Sequence, residues 1–275
     1  MKIATIGDNV IDLYIAEGTS FVGGNCVNVA VYAKRAGAEQ AAYFGVVGTD
    51  ERGVDVLAAL AAENVDTSGV TVRDGATAWC KIKRTDGDRS FIESDKGVSL
   101  FRVDDDLLRK VHGFDVAHMA YSGRMEDDVK YVSSVVPVSF DFSDRHSAEY
   151  ISEIAPHVTY ATFSGGDLAL EQCEALAYTA LNAGAKNVLV SRGAAGALFW
   201  SGQQAPVAVP GLPIDVVDTL GAGDTLIATF LVGQFAGLTV EESLVRATKH
   251  AAATCRTDGG FGRPIPLYTP IKTHN

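Results

Sequence analysis

The chain has 275 residues, 47% of them hydrophobic, enough to bury a sizeable core as one large α/β domain or two small ones. Asp and Glu number 34 against 23 Lys and Arg, and the resulting charge of −11 excludes the basic surface that a nucleic-acid partner requires. No apolar run reaches about 18 residues, so no membrane span is expected. The opening Met1-Lys2-Ile3-Ala4-Thr5-Ile6-Gly7 has too short an apolar stretch for a signal peptide. These features suit a soluble cytoplasmic protein. The cysteines, Cys26, Cys80, Cys173 and Cys255, lack paired metal-site spacing and read as free, mostly buried thiols.

In chain order, Lys2–Ile6 reads as a first strand, ended by Gly7-Asp8-Asn9. Gly23-Gly24 precede a helix over residues 28–35, closed by Gly37. Residues 41–47 form the next strand, and Asp50 caps a helix through Leu60. This β-α-β-α order predicts a parallel sheet covered by helices. The pattern then changes. Residues 77–84 and 89–93 are short extended runs joined by Thr85-Asp86-Gly87-Asp88, and Asp-Gly between two such runs signals a hairpin. It lies outside the main sheet order and reads as a flap or lid. Asp104 opens a helix. Strands follow at 115–121, 136–142, 158–163 and 186–190, with the clearest helix at 168–183 stopped by Gly184. Residues 198–200 and 207–209 make a second, antiparallel hairpin at the sheet edge, and two helices, 222–235 and 240–255, precede a Pro-rich tail. The prediction is one doubly wound α/β domain over 1–275, with a small β lid from about 12–22 and 76–97. In such sheets ligands bind beyond the carboxyl ends of the strands. The polar junctions 7–12, 23–28, 141–145, 164–167, 191–196 and 218–224 fall there, which argues for one site.

The junction that carries most chemistry is Asp218-Thr219-Leu220-Gly221-Ala222-Gly223-Asp224. An apolar run over 214–217, read as a strand, leads into it, and a buried helix leads out. Glycines allow close backbone approach to an oxygen-rich ligand, and a helix start adds N–H donors and a positive dipole end, which together suit phosphate. A carboxylate at that turn, Asp224, is either a helix cap or a general base for a hydroxyl attacking a phosphoryl group. Other chemistries lack their motifs. There is no Gly-x-Gly-x-x-Gly after the first strand, no Gly-x-x-x-x-Gly-Lys-Ser/Thr, no Gly-x-Ser-x-Gly and no His-Glu-x-x-His.

The Asp-Thr-x-Gly-Ala-Gly-Asp stretch resembles the C-terminal signature of the ribokinase family of carbohydrate kinases, and Gly23-Gly24-Asn25-Cys26-Val27-Asn28 resembles its Gly-Gly-x-x-x-Asn signature. The resemblance covers nearly the whole chain and implies a ribokinase-like doubly wound sheet with a lid. It implies that Gly221, Ala222 and Gly223 form an anion hole and that Asp224 is the catalytic base. Asn9, Asp12, Gly23, Gly24, Asn28 and Arg124 would bind the sugar. Ser164, Asp167, Ser191, Gly193, Gly196 and Thr219 would line the nucleotide site. ATP and Mg²⁺ are the implied cofactors, with Asp167 acting on Mg²⁺ through water. K⁺ is implied at Asp218, with carbonyls from 251–262. Ser164-Gly165-Gly166-Asp167 departs from the family's Asn-x-x-Glu, and Ser143 in Asp141-Phe142-Ser143-Asp144-Arg145 departs from Asp-x-Asn-x-Arg. Arg192 stands where an apolar residue is usual; it either reaches phosphate or faces solvent, and the second reading is preferred.

Residues 4–9, 23–32 and 140–144 are similar to those of bacterial fructoselysine 6-kinases, which implies phosphorylation of the 6-hydroxyl of a fructosamine. A fructokinase or another ketose or ribose kinase is the alternative within the family, and a non-catalytic sugar-binding protein the alternative outside it. The lid carries Lys81, Lys83, Arg84 and Arg89 against Glu93 and Asp95. These charges are either a solvated outer face or a reader of the substrate's amino-acid end, with Glu93 on an amine. Trp79, Ile82, Phe91 and Ile92 are expected to be exposed on the lid, and a homodimer through the lids is expected to cover them.

Overall fold

The structure is a computed structural model that describes residues 1–85, 88–202 and 204–268, with the backbone alone at 84, 85, 88 and 89. The hairpin-turn residues Asp86 and Gly87 and the side chains of Arg84 and Arg89 therefore lie outside the described residues. In chain order the elements are β1 (Lys2–Ile6), β2 (Val10–Tyr14), β3 (Thr19–Gly23), α1 (Asn25–Arg35), β4 (Gln40–Phe44), β5 (Val46–Gly48), α2 (Glu51–Ala62), β6 (Thr71–Arg73), β7 (Trp79–Thr85) and β8 (Asp88–Asp95). There follow α3 (Asp105–Val111), β9 (Val116–Ala120), α4 (Val129–Ser133), β10 (Val138–Ser143), α5 (Ala148–Ile154), β11 (Tyr160–Ser164), α6 (Leu170–Ala183) and β12 (Asn187–Ser191). The last are β13 (Ala197–Ser201), β14 (Val207–Val209), α7 (Ala222–Phe235), α8 (Val240–Thr254) and β15 (Pro264–Pro266).

Eight strands form the main sheet in the order β14-β13-β12-β11-β10-β9-β1-β4. The six from β12 to β4 are parallel, and β13 and β14 run antiparallel at the edge, as the sequence pattern predicts. Successive strand residues face opposite sides, which splits the core in two. Ile3, Val116 and Leu189 join one apolar cluster with α1, α2, α7 and α8, while Ala4, Ala117, Phe140 and Phe142 join another with α4, α5 and α6. Helices thus cover both faces. In the second cluster Phe142 stacks on Phe163 at 4.7 Å and meets Phe140 edge-on at 4.8 Å, an arrangement that aromatic quadrupoles favour. Helix α7 is apolar nearly all round, so it is buried nearly all round; residues 225–233 are all buried.

A second sheet has the order β15-β3-β2-β7-β8. Segments 12–22 and 76–97 supply four of its strands. The fifth, β15, was read from sequence only as part of a Pro-rich tail; it pairs with β3 from Pro264 opposite Phe21 to Pro266 opposite Thr19. Its prolines suit a sheet edge.

Three expectations are corrected. Residues 214–217 do not form a strand. Val217 and Asp218 donate their N–H groups to the carbonyl of Cys255, at the end of α8, so this backbone is satisfied without a neighbouring strand. Residues 41–47 are two strands parted at Gly45, with β4 in the main sheet and β5 paired to β6. Trp79 and Ile82 are buried, at 1% and 2% exposure, whereas Phe91 and Ile92 are each 61% exposed. Strict alternation would send Trp79 and Ile82 to opposite faces. Strand β7 keeps an unbroken register with β2 from Trp79 to Ile82, so the two do face opposite sides, and both sides are covered: Trp79 joins the apolar cluster of α1 and α7. Ile82 packs with Tyr14, Phe21 and Leu220.

Candidate active site

Because β1, β9, β10, β11 and β12 are parallel, their carboxyl ends open on one edge, where the N-termini of α1 and α7 also arrive. At α7, Gly221 is the N-cap at φ 79°, and a side chain there would collide with the carbonyl of Gly260. Gly223 is the opposite case, with nothing within 4 Å of where its Cβ would stand. The first turn of α7 therefore faces open space with its N–H groups and the positive end of the helix dipole. That space belongs to a cavity of about 520 Å³ lined by Ser191, Gly193, Gly196, Thr219, Ala222 and Gly223, with an apolar wall that includes Leu212, Ile214 and Ala251. Four expected nucleotide residues, Ser191, Gly193, Gly196 and Thr219, line it. Ser164 and Asp167 do not; they sit exposed on the turn after β11, beside β12 through the Gly165 N–H to Ser191 carbonyl bond of 2.7 Å.

Asp224 follows Gly223 and turns to α1. Asn25 donates through Nδ2 to its Oδ1 at 2.8 Å, and Asn28 through Nδ2 to its Oδ2 at 2.7 Å. The start of α1 is itself built around an acid. Gly24 takes φ 108° at the N-cap, with the Asn9 backbone where a side chain would stand, and Asp8 accepts the backbone N–H groups of Asn25 at 3.1 Å and Cys26 at 3.4 Å. Gly23 is equally constrained, because a Cβ there would strike the Asp12 carboxylate. Asp12 is 2% exposed, between β3 and β7.

The remaining expected sugar residues are more dispersed. Asn9 donates to the Tyr43 hydroxyl at 2.9 Å and to the Val46 carbonyl at 2.8 Å, leaving its Oδ1 without a partner among the described residues. The same holds for Asn28 Oδ1. Arg124 is exposed in the left-handed region at φ 53°, after β9. Glu93 pairs with Lys81 at 2.6 Å, both about 30% exposed, and Lys81 lies over the Trp79 ring at 5.6 Å. Asp218, at 1% exposure, accepts the Leu220 N–H at 2.9 Å, the Tyr14 hydroxyl at 2.5 Å and the Gly259 N–H at 3.1 Å. It ties the small sheet to the turn before α7. Arg192 is half-buried rather than solvent-facing, and its Nε has no partner among the described residues.

Sequence reasoning put Asp8, Asn25 and Asp141 in the polar junctions of the site without a role for any of them, and missed His118. Asn25 also donates to Asp141 Oδ2 at 2.8 Å, and its Oδ1 meets His118 Nε2 at 2.8 Å. Burial pushes the Asp141 carboxyl up to about 6, against the Ser143 N–H and the Asn25 amide, which favour its ionised form. Burial alone takes His118 down to about 3, so it is neutral at working pH. The signal was strand parity. Thr5, His118, Ser139 and Asp141 lie on the same face of three neighbouring strands, opposite the face that carries Ala4, Ala117, Phe140 and Phe142.

Chemically, the arrangement brings an anion-binding helix start, an adjoining cavity and a carboxylate in open reach of both to one edge, which suits phosphoryl transfer to a hydroxyl. The family model for pfkB family carbohydrate kinases matches residues 3–266. The chain is 38% identical to the fructosamine kinase FrlD of Bacillus subtilis (strain 168), over 97% of this chain and 95% of that protein. It is 34% identical to the fructoselysine 6-kinase of Escherichia coli (strain K12), over 94% and 99%. In fold it is similar to the ribokinase of Arabidopsis thaliana solved with ribose and ATP, with a TM-score of 0.82 at 21% identity over 94% of each chain. The motifs, the architecture and these relationships agree: the chain belongs to the pfkB family of carbohydrate kinases.

Proposed function

We propose that the protein transfers a phosphoryl group from ATP to the terminal 6-hydroxyl of a ketose-type sugar, and that this sugar is a fructosamine such as fructoselysine. The observation that carries the reading is the double exposure of Asp224, next to the cavity through Gly223 and bonded on both oxygens to amides of α1. The substrate preference is supported by the two relatives that act on fructosamines.

In this mechanism Asp224 takes the proton of the 6-hydroxyl as its oxygen bonds to the γ-phosphorus. The bond from that phosphorus to the bridging oxygen breaks, and ADP leaves. The Gly221-Ala222-Gly223 backbone and the α7 dipole stabilise the charge that builds on the transferred group. Asp12 and Asn28, over Gly23 and Gly24, hold the sugar, with Asn9 and Arg124 beside them, and Ser191, Gly193, Gly196 and Thr219 hold the nucleotide. Among the described residues no group of three His, Cys, Asp or Glu could hold a metal alone. Mg²⁺ would come with the nucleotide phosphates and neutralise charge there, and Asp167, exposed after β11, is the residue that would contact it through water. Asp218, buried beside the turn before α7 and the Gly259 backbone, is the residue that would hold K⁺. The four cysteines are all free and buried, in keeping with a cytoplasmic setting.

The small sheet is the lid. Its Lys81–Glu93 ion pair is the pair that the amino-acid end of a fructosamine would split, with the amine to Glu93 and the carboxylate to Lys81. Phe91, Ile92 and Ile15 are exposed on this sheet, and β8 is its open edge, so the lid is also the proposed face of a homodimer.

Four outcomes are expected. Asp224→Asn should lower kcat by about 10²-fold or more and leave sugar affinity by calorimetry within about threefold; near-normal turnover would remove Asp224 as the base. Glu93→Lys should raise KM for fructoselysine about tenfold and leave fructose almost unchanged, since it strikes a contact remote from the chemistry; equal effects on both sugars would show that the lid does not read the amine. Light scattering at micromolar concentration should give a dimer mass, and a monomer mass would refute the lid interface. Turnover in K⁺ should exceed that in Na⁺ or a bulky organic cation, and equal rates in all three would refute a K⁺ site at Asp218.

A further inference from the structure

The Asn25 side chain is engaged through both its amide nitrogen and its carbonyl oxygen. Its Nδ2 donates one N–H to Asp141 Oδ2 and the other to Asp224 Oδ1, both at 2.8 Å. The two carboxylate oxygens therefore stand at most twice 2.8 Å apart, with a single amide nitrogen between them. Its Oδ1 faces His118 Nε2 at 2.8 Å, and His118 Nδ1 faces the Ser139 hydroxyl at 3.0 Å. His118 and Ser139 are both 0% exposed, inside the sheet.

The direction of every bond in this chain is determined. A neutral imidazole carries one N–H. With that proton on Nε2, His118 donates to the Asn25 carbonyl, Ser139 donates to Nδ1, and both amide N–H groups of Asn25 point at carboxylates. With the proton on Nδ1, Asn25 must flip to offer a donor to Nε2, and its carbonyl oxygen would then confront two carboxylates. The flipped state sets three acceptors against one another in a poorly solvated place, which costs far more than the hydrogen bond it makes. Burial, which holds His118 neutral, also prevents it from donating on both sides.

We propose that Asn25 is a positioning residue for Asp224, and that His118, from within the sheet, fixes the orientation in which Asn25 acts. Loss of the His118 donor leaves Asn25 free to rotate. Asp224 then loses the amide that holds its Oδ1, faces Asp141 across the space that the amide filled, and loses its aim at the hydroxyl. His118 itself is too deep to touch substrate, so the defect should fall on kcat rather than on KM.

The inference rests on Asp224 being the base, and the test separates the two. His118→Gln keeps a donor at the Nε2 position, whereas His118→Met has the same length and no donor. His118→Gln is expected to hold kcat within about threefold of the native enzyme. His118→Met is expected to lose about 10- to 100-fold in kcat, with KM for fructoselysine and ATP within about threefold. Asn25→Ala, at the less buried end of the network, should lose as much, and the double variant His118→Met, Asn25→Ala should be no worse than Asn25→Ala alone, because His118 acts only through Asn25. Equal kcat in the Gln and Met variants, or multiplicative losses in the double variant, would overturn the proposal. Asp224→Asn inactive beside a fully active His118→Met would overturn this inference alone. Asp224→Asn fully active would overturn the assignment of the base itself.

Discussion

Two amides hold the two oxygens of one carboxylate, and the site is arranged around that fact. Asn25 and Asn28 are the first and fourth residues of α1, so one helical turn presents both to Asp224. For that turn to stand where it does, Gly24 must take a positive φ, Asp8 must cap α1, and α1 must pack on α7, which it does along its Val27–Val31 face. The apolar contacts between α1 and α7 thus serve the chemistry as well as the core. They fix the distance between an amide on one helix and an acid on the other.

The electrostatics look unfavourable until they are divided in space. The protein carries −11, and Asp8, Asp141 and Asp224 gather around Asn25, yet the reaction handles a polyanionic nucleotide. The acids are all on the α1 side. The cavity side offers glycine backbone, apolar walls and the start of α7, with no acidic side chain among its lining residues. Asp224 lies on the boundary, where the proposed base would face both the hydroxyl and the phosphate. Asp141 meets its own burial by holding its proton up to about 6 and by sharing the Asn25 amide.

Much of this was legible in the sequence because it is local. The Gly-Ala-Gly-Asp turn before an apolar helix, Gly-Gly before α1, the Asp-Gly hairpin and the β-α alternation each depend on residues within a few positions of one another. What escaped depends on meetings across the chain. His118 reads as an isolated histidine in a buried strand, and only the pairing of β9 with β10 puts it beside Ser139. Asn25 reads as a variable position inside a glycine motif. Trp79 and Ile82 were misjudged because both faces of the small sheet are covered at this point, Trp79 by the main core and Ile82 by Tyr14, Phe21 and Leu220. Residues 214–217 have the composition of a strand and no strand beside them, since Cys255 satisfies their backbone instead.

The pairing of β15 with β3 has a bearing on how the protein comes into being. Strand β3 is complete by Gly23, but its outer partner is Pro264–Pro266, and the acid that Asn25 and Asn28 await lies 199 and 196 residues further along. A chain made from its N-terminus, at about 5–20 residues per second, must keep β2, β3 and the start of α1 waiting for many seconds. During that time an unpaired sheet edge and a cluster of acids have no native partners. Contacts of such long sequence separation also form slowly once the chain is whole. On the proposed assignment, activity therefore waits on completion of the chain. A nascent chain that has made the entire main sheet still lacks Asp224, the proposed base, and the last of the described strands closes the small sheet.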